Sequence, residues 1–131
     1  MSIPETELES LKGDGLEYTT VAEANMTCIV VKNFGLPAGY NRADADLLLR
    51  LPAGFPDTPP DMWWFDPPVV RADGSKPPAT DAVEQHVGRT WQRWSRHFNA
   101  GQWRPGLDSL ETFLALIRKE LHRCVEPAQC A

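Results

Sequence analysis

The chain has 131 residues, 42% of them hydrophobic and 24% charged, and carries a formal net charge of −5. That length suits one domain around one core, and the excess of acid argues against gripping a nucleic-acid backbone as the main task. No apolar run approaches the ~20 residues a membrane-crossing helix needs, and the stretch Met1 to Glu5 lacks the basic-then-apolar order of a signal peptide, so a cytoplasmic protein is expected.

Residues 4–12 (PETELESLK) read as a short acidic helix with Leu8 and Leu11 facing inward. Gly13-Asp14-Gly15 ends it. Residues 16–23 favour a strand and Asn25 marks a turn. Residues 26–34 (MTCIVVKNF), with a β-branched centre, form a second strand, and the close spacing predicts an antiparallel hairpin. A loop over 35–43 leads to a third strand at 44–51 (DADLLLRL). The stretch PAGFPDTPP is too rich in proline for a helix or a central strand, and 61–65 (DMWWF) follows as the fourth strand. Residues 66–81 read as a loop with a turn at Asp73-Gly74, and 82–92 as a short helix followed by irregular backbone. In 107–122, Leu107, Leu110, Phe113, Leu114, Ile117 and Leu121 recur at the spacing of an amphipathic helix. Arg118, Lys119, His122 and Arg123 suit its C-terminal end.

Twelve prolines crowd mostly into the middle third, and all five tryptophans fall between Trp63 and Trp103. Large rings among prolines point to ordered, irregular backbone pinned by buried aromatics rather than to a flexible linker. The cysteines, Cys28, Cys124 and Cys130, are odd in number and show no zinc-ligand spacing, so free thiols in a reducing compartment are expected.

Three features in this order resemble the ubiquitin-conjugating enzymes. Phe55-Pro56-Asp57-Thr58-Pro59-Pro60 ahead of Met62-Trp63-Trp64-Phe65 is similar to that family's aromatic-Pro-x-x-Pro-Pro signature before its fourth strand. Trp103-Arg104-Pro105 is similar to its Trp-x-Pro, and the helix from Leu107 follows. Trp94-Ser95-Arg96-His97 and Gln102-Trp103-Arg104-Pro105-Gly106 further resemble a divergent bacterial branch encoded beside ubiquitin-like proteins, activating enzymes and metal-dependent peptidases. The resemblance spans about residues 16–122. It implies an α+β fold with a four-stranded antiparallel meander, a main C-terminal helix packed on one face and a long ordered active-site loop. The chain then reads as one domain, 1–131, with flexible ends at 1–4 and 125–131.

One departure matters. That family's reactive cysteine stands shortly before the Trp of Trp-x-Pro, and the same offset from Trp103 lands on Ser95. No cysteine lies between Cys28 and Cys124. In one reading Ser95 accepts the C-terminus of an activated ubiquitin-like protein as an oxyester. Serine needs a base, and His97, two residues on, is the natural candidate, since residues i and i+2 of an extended chain share a face. Arg96, Asn99 or backbone N–H groups are the candidates for oxyanion or orienting roles. The family's His-Pro-Asn is not intact, and His86 lies near its place. In the other reading Ser95 is a loop residue, His97 a structural hydrogen-bonder, and the chain an inactive variant that binds a ubiquitin-like protein or its activating enzyme. His97 itself as the reacting group stays open.

Trp91, Trp94 and Trp103 read as staples under the loop. Trp63 and Trp64 should point to opposite faces, the outward one covered by the 66–81 loop or free for partners. Asp66, Asp73, Asp81 and Glu84 are loop carboxylates able to orient a histidine or stay solvated. No spacing suits a metal and no Gly-rich phosphate loop appears. The resemblance implies an adenylating activating enzyme, a ubiquitin-like protein and a protein target as partners, no cofactor in this domain, and a bacterial conjugation operon, with antiphage defence as a candidate role.

Overall fold

The computed structural model describes residues 5–98 and 101–130. Helix α1 (Glu5–Gly13) is followed by β1 (Glu17–Glu23), β2 (Met26–Gly35), β3 (Asp44–Leu51), β4 (Trp63–Asp66), β5 (Val83–His86) and β6 (Arg89–Trp94), then α2 (Leu110–Arg123) and a short α3 (Pro127–Cys130). The first four strands form an antiparallel meander, but the sheet has six strands in the order β1-β2-β3-β4-β6-β5. Two expectations are corrected here. Four strands become six, and the helix expected over 82–92 is a hairpin. The physical reason is the Val87-Gly88 turn, where both residues take left-handed φ angles of 47° and 75°, as a tight two-residue hairpin requires.

Both faces of the central strands are buried, which is why β2 and β3 are almost continuously apolar rather than alternating. Ile29, Val31, Leu47, Leu49, Trp63, Phe65 and Trp94 meet Leu110, Phe113, Leu114, Ile117 and Leu121 of α2, with Leu11 of α1. On the opposite face Cys28, Val30, Leu48, Trp64 and Trp91 form a second, smaller cluster. Trp63 and Trp64 do point to opposite faces, yet both are buried. Trp64 is covered by the β5–β6 hairpin, touching the His86 ring edge-on and donating to Glu84 Oε1 at 2.9 Å.

Helix α2 starts at Leu110, three residues later than its apolar spacing suggests, and Leu107 is exposed. Asp108 accepts from Arg104 N and holds the preceding turn. Ser109 N donates to Thr112 Oγ1 (2.7 Å), and Glu7 of α1 accepts from Leu110 N (3.1 Å), so the first turn's free donors find partners. At the other end the Tyr40 hydroxyl donates to Leu121 O (2.6 Å) and Arg71 Nε to Cys124 O (2.8 Å). Two distant side chains thus satisfy carbonyls that the helix cannot.

The segment 125–130, expected as a flexible end, turns back through α3; Cys130 is buried and disulfide-bonded to Cys124 with Cα atoms 4.4 Å apart. This corrects the expectation of free thiols at these two positions, while Cys28 is a free thiol. The helical turn of α3 brings two cysteines six apart into bonding range. Residues 1–4, the other expected flexible end, lie outside the described residues. No helix among the described residues is long and apolar enough to cross a membrane.

Candidate active site

The segment after β6 is pinned on both sides. β4 and β6 pair with Trp63 opposite Trp94; just beyond that ladder Met62 N donates to Arg96 O on one side, and Ser95 N donates to Ala79 O, in the loop ahead of β5, on the other, each at 3.0 Å. Met62 reaches this position with a left-handed φ of 60°, an unusual conformation for a bulky side chain. Its sulfur lies 3.5 Å from Ser95 Oγ.

Ser95 is half-buried. Its Oγ stands 3.4 Å from His97 Nε2, at the outer edge of hydrogen-bond reach, and His97 Nδ1 lies 2.7 Å from Asp61 Oδ1. Ser95, His97 and Asp61 therefore form a continuous hydroxyl–imidazole–carboxylate chain. Such a chain is the arrangement in which a carboxylate holds one ring nitrogen protonated and leaves the other facing the hydroxyl. The pair is open to water: the His97 and Asp61 side chains are 63% and 53% exposed. Asp61 is a residue that the sequence reading missed. Its only signal was the pairing of β4 with β6, which sets residues 61–62 beside 95–96.

The remaining candidates are placed elsewhere. Arg96 does not face Ser95 Oγ among the described contacts. It packs over Trp94, binds Glu120 Oε2 at 2.6 Å and donates to the carbonyls of Pro78 and Ser95. Its link to Ser95 is through that backbone carbonyl. His86 is engaged by Glu84 at 3.0 Å and Glu23 at 3.6 Å, on the face that carries Trp64, and makes no bond to Ser95 or His97. Asn99 lies outside the described residues. Of the loop acids, Asp66 pairs with Arg89, Asp73 with Ser75, Asp81 with Lys76, and Glu84 with Arg93 and His86, so none reaches His97.

The motif residues meet each other. Trp103 Nε1 donates to Pro56 O at 2.9 Å, and the Trp103 ring packs against Phe55 and Phe98. Peptide bonds Phe55–Pro56 and Asp66–Pro67 are cis. Pro59 and Pro60 carry the chain into β4, and Pro105 lies exposed in the turn before α2. Gln92, buried under the 66–81 loop, accepts from Val69 N and donates to the carbonyls of Val69 and Thr80. This one side chain gives the prolyl loop a backbone partner it lacks.

Glu120 is the hub behind the site. Burial pushes its carboxyl upward, but hydrogen bonds from Arg123 and Arg96 outweigh that and hold it below the usual carboxylate range. No cysteine offers an open thiol. Cys124 and Cys130 are bonded to each other, and Cys28 is buried, its thiol pushed up by desolvation. Among the described residues no group of His, Cys, Asp and Glu is arranged to hold a metal ion.

The sequence model of a family described as prokaryotic E2 family E matches residues 3–124. No curated protein and no solved structure matches the chain.

Proposed function

The chain belongs to prokaryotic E2 family E, a bacterial ubiquitin-conjugating-like family, and from that premise we propose that it is an acyl carrier whose nucleophile is Ser95. The α+β architecture, the six-stranded sheet and the helix over one face agree with an E2-like fold. The observation that carries the reading is the contact chain from Ser95 Oγ through His97 to Asp61.

In this reading an adenylating enzyme, which consumes the ATP, presents the activated C-terminal carbonyl of a ubiquitin-like protein. Ser95 Oγ attacks that carbon while His97 Nε2 takes the hydroxyl proton. The bond to the activating group breaks, the leaving group departs with the proton, and an oxyester remains on Ser95. A target amine or hydroxyl then attacks the ester carbon, gives its proton to His97, and the serine hydroxyl is restored. Asp61 positions the ring and balances the imidazolium. Arg96 is a positioning residue, tying the serine's backbone to α2 through Glu120. The domain needs no cofactor of its own. A role in antiphage defence follows from the resemblance to the bacterial branch.

The test is to incubate the protein with its activating enzyme, ubiquitin-like protein and ATP. A hydroxylamine-sensitive adduct that disappears in Ser95→Ala is expected. If no adduct forms, the carrier role fails and binding of a ubiquitin-like protein or its activating enzyme is what remains; if the adduct persists in Ser95→Ala, Ser95 is not its nucleophile and His97 is the next group to replace.

A further inference from the structure

Two cavities flank the triad. One, of about 460 Å³, reaches Asp61 and Met62 from the face of Trp64 and His86. The other, of about 350 Å³, lies on the His97 side, between the 96–98 segment and α2. Its floor is apolar, built from Trp63, Phe98, Phe113 and Leu116. Arg96, Lys119 and Arg123 also line it, against the single carboxylate of Glu120, so three cations surround this spot on a chain whose net charge is −5. Arg96 and Arg123 share Glu120, while Lys119 is exposed. The Trp63 indole, 1% exposed, has a buried N–H with no acceptor among the described residues. That N–H is out of reach of solvent, so the indole meets the cavity through its ring.

We propose that this cavity seats the segment that presents the acceptor nucleophile, through an acidic residue next to an aromatic or aliphatic one. The proposal rests on the reading of Ser95 as the acyl carrier. The carboxylate meets the cations, and the apolar side chain covers the floor. A segment held here lies against His97, the group that must take the acceptor's proton.

The probe is the blocked dipeptide acetyl-Phe-Glu-amide, titrated into ¹⁵N-labelled unloaded protein, with the assigned Trp63 indole resonance as the readout. The glutamate peptide should move that resonance, and acetyl-Phe-Gln-amide should bind about tenfold more weakly. Lys119→Glu, an exposed change that spares the fold, should weaken the glutamate peptide about fivefold, and added salt should weaken it in the parent. No movement up to about 10 mM peptide, a fair ceiling for so small a ligand, overturns the proposal. So does equal binding of the glutamine peptide. Binding of free 3-phenylpropionate without binding of the dipeptide overturns it too, since the site would then belong to a small carboxylate rather than a peptide segment. Because binding is read without the ester, it survives a failure of the carrier role. An adduct on Ser95 with no peptide binding would sink the cavity assignment alone.

Discussion

Asp61→Asn probes the triad most directly. Asp61 accepts from His97 Nδ1 at 2.7 Å and thereby leaves Nε2 facing Ser95 Oγ. Asparagine keeps the size but loses the charge and can offer an N–H in place of an acceptor. The magnitude follows from exposure. With the two side chains 63% and 53% open to water, the attraction between the carboxylate and the imidazolium that forms as the serine proton is taken is screened. An exposed pair contributes about 0.2–1 kcal/mol, or roughly 1.4- to 5-fold in rate. Loss of the favoured tautomer adds to this, so adduct formation should slow about tenfold, well short of what a buried triad carboxylate contributes. His97→Ala removes the base itself and should cost about 100- to 10,000-fold. The assay is single-turnover transfer from charged activating enzyme, followed by intact mass. A rate within about twofold of the parent would show that the carboxylate does not hold the ring. A loss equal to that of His97→Ala would show that exposure does not govern the triad.

Three further outcomes are expected. Glu120→Gln should lower stability by about 2 kcal/mol, read from urea midpoints, because two guanidinium groups lose their shared anion. Glu120's contribution is present above the unfolded carboxyl value of about 4.3 and is lost as pH falls through its lower folded value, so the variant should show a flatter acid profile. Tyr40→Phe should cost about 1 kcal/mol by removing the bond to Leu121 O. Burial pushes the Tyr40 hydroxyl up to about 12; its contribution is whole below pH ~10 and fades as pH rises through the folded value, so the variant should lose less stability in alkali than the parent. Cys130→Ala opens a cross-link between residues six apart and should lower stability by about 2 kcal/mol; melting curves with and without reductant should differ for the parent and coincide for the variant.

Much of the scaffold was legible because its signals are local. The β-branched run in β2 and the leucines of β3 mark strands wherever they pack. The spacing from Leu110 to Leu121 marks the face of α2, and only Leu107, one turn too early, misled. The β5–β6 hairpin was not legible. A Val at the first turn position is a poor advertisement for left-handed backbone, and Arg89 to Trp94 alternates irregularly because Gln92 and Trp91 are both buried. Asp61 was hidden for the same reason. It stands 36 residues from His97, and only the pairing of β4 with β6 brings the two together. The nearness of Ser95 and His97 was legible because it is a property of adjacent chain. The link from Cys124 to Cys130 was missed because it depends on α3, a turn too short to leave a pattern.

The backbone around Ser95 is clamped between Met62 and Ala79 by two hydrogen bonds, whereas the imidazole and carboxylate beyond it stand in solvent. Water weakens every Coulombic contact it can reach. Any protein surface that settles over residues 61 and 97 lowers the local dielectric and tightens that contact without moving an atom of the strand. With Ser95 read as the acyl carrier, the reactivity of a stationary hydroxyl is then set by what lies on top of its neighbours.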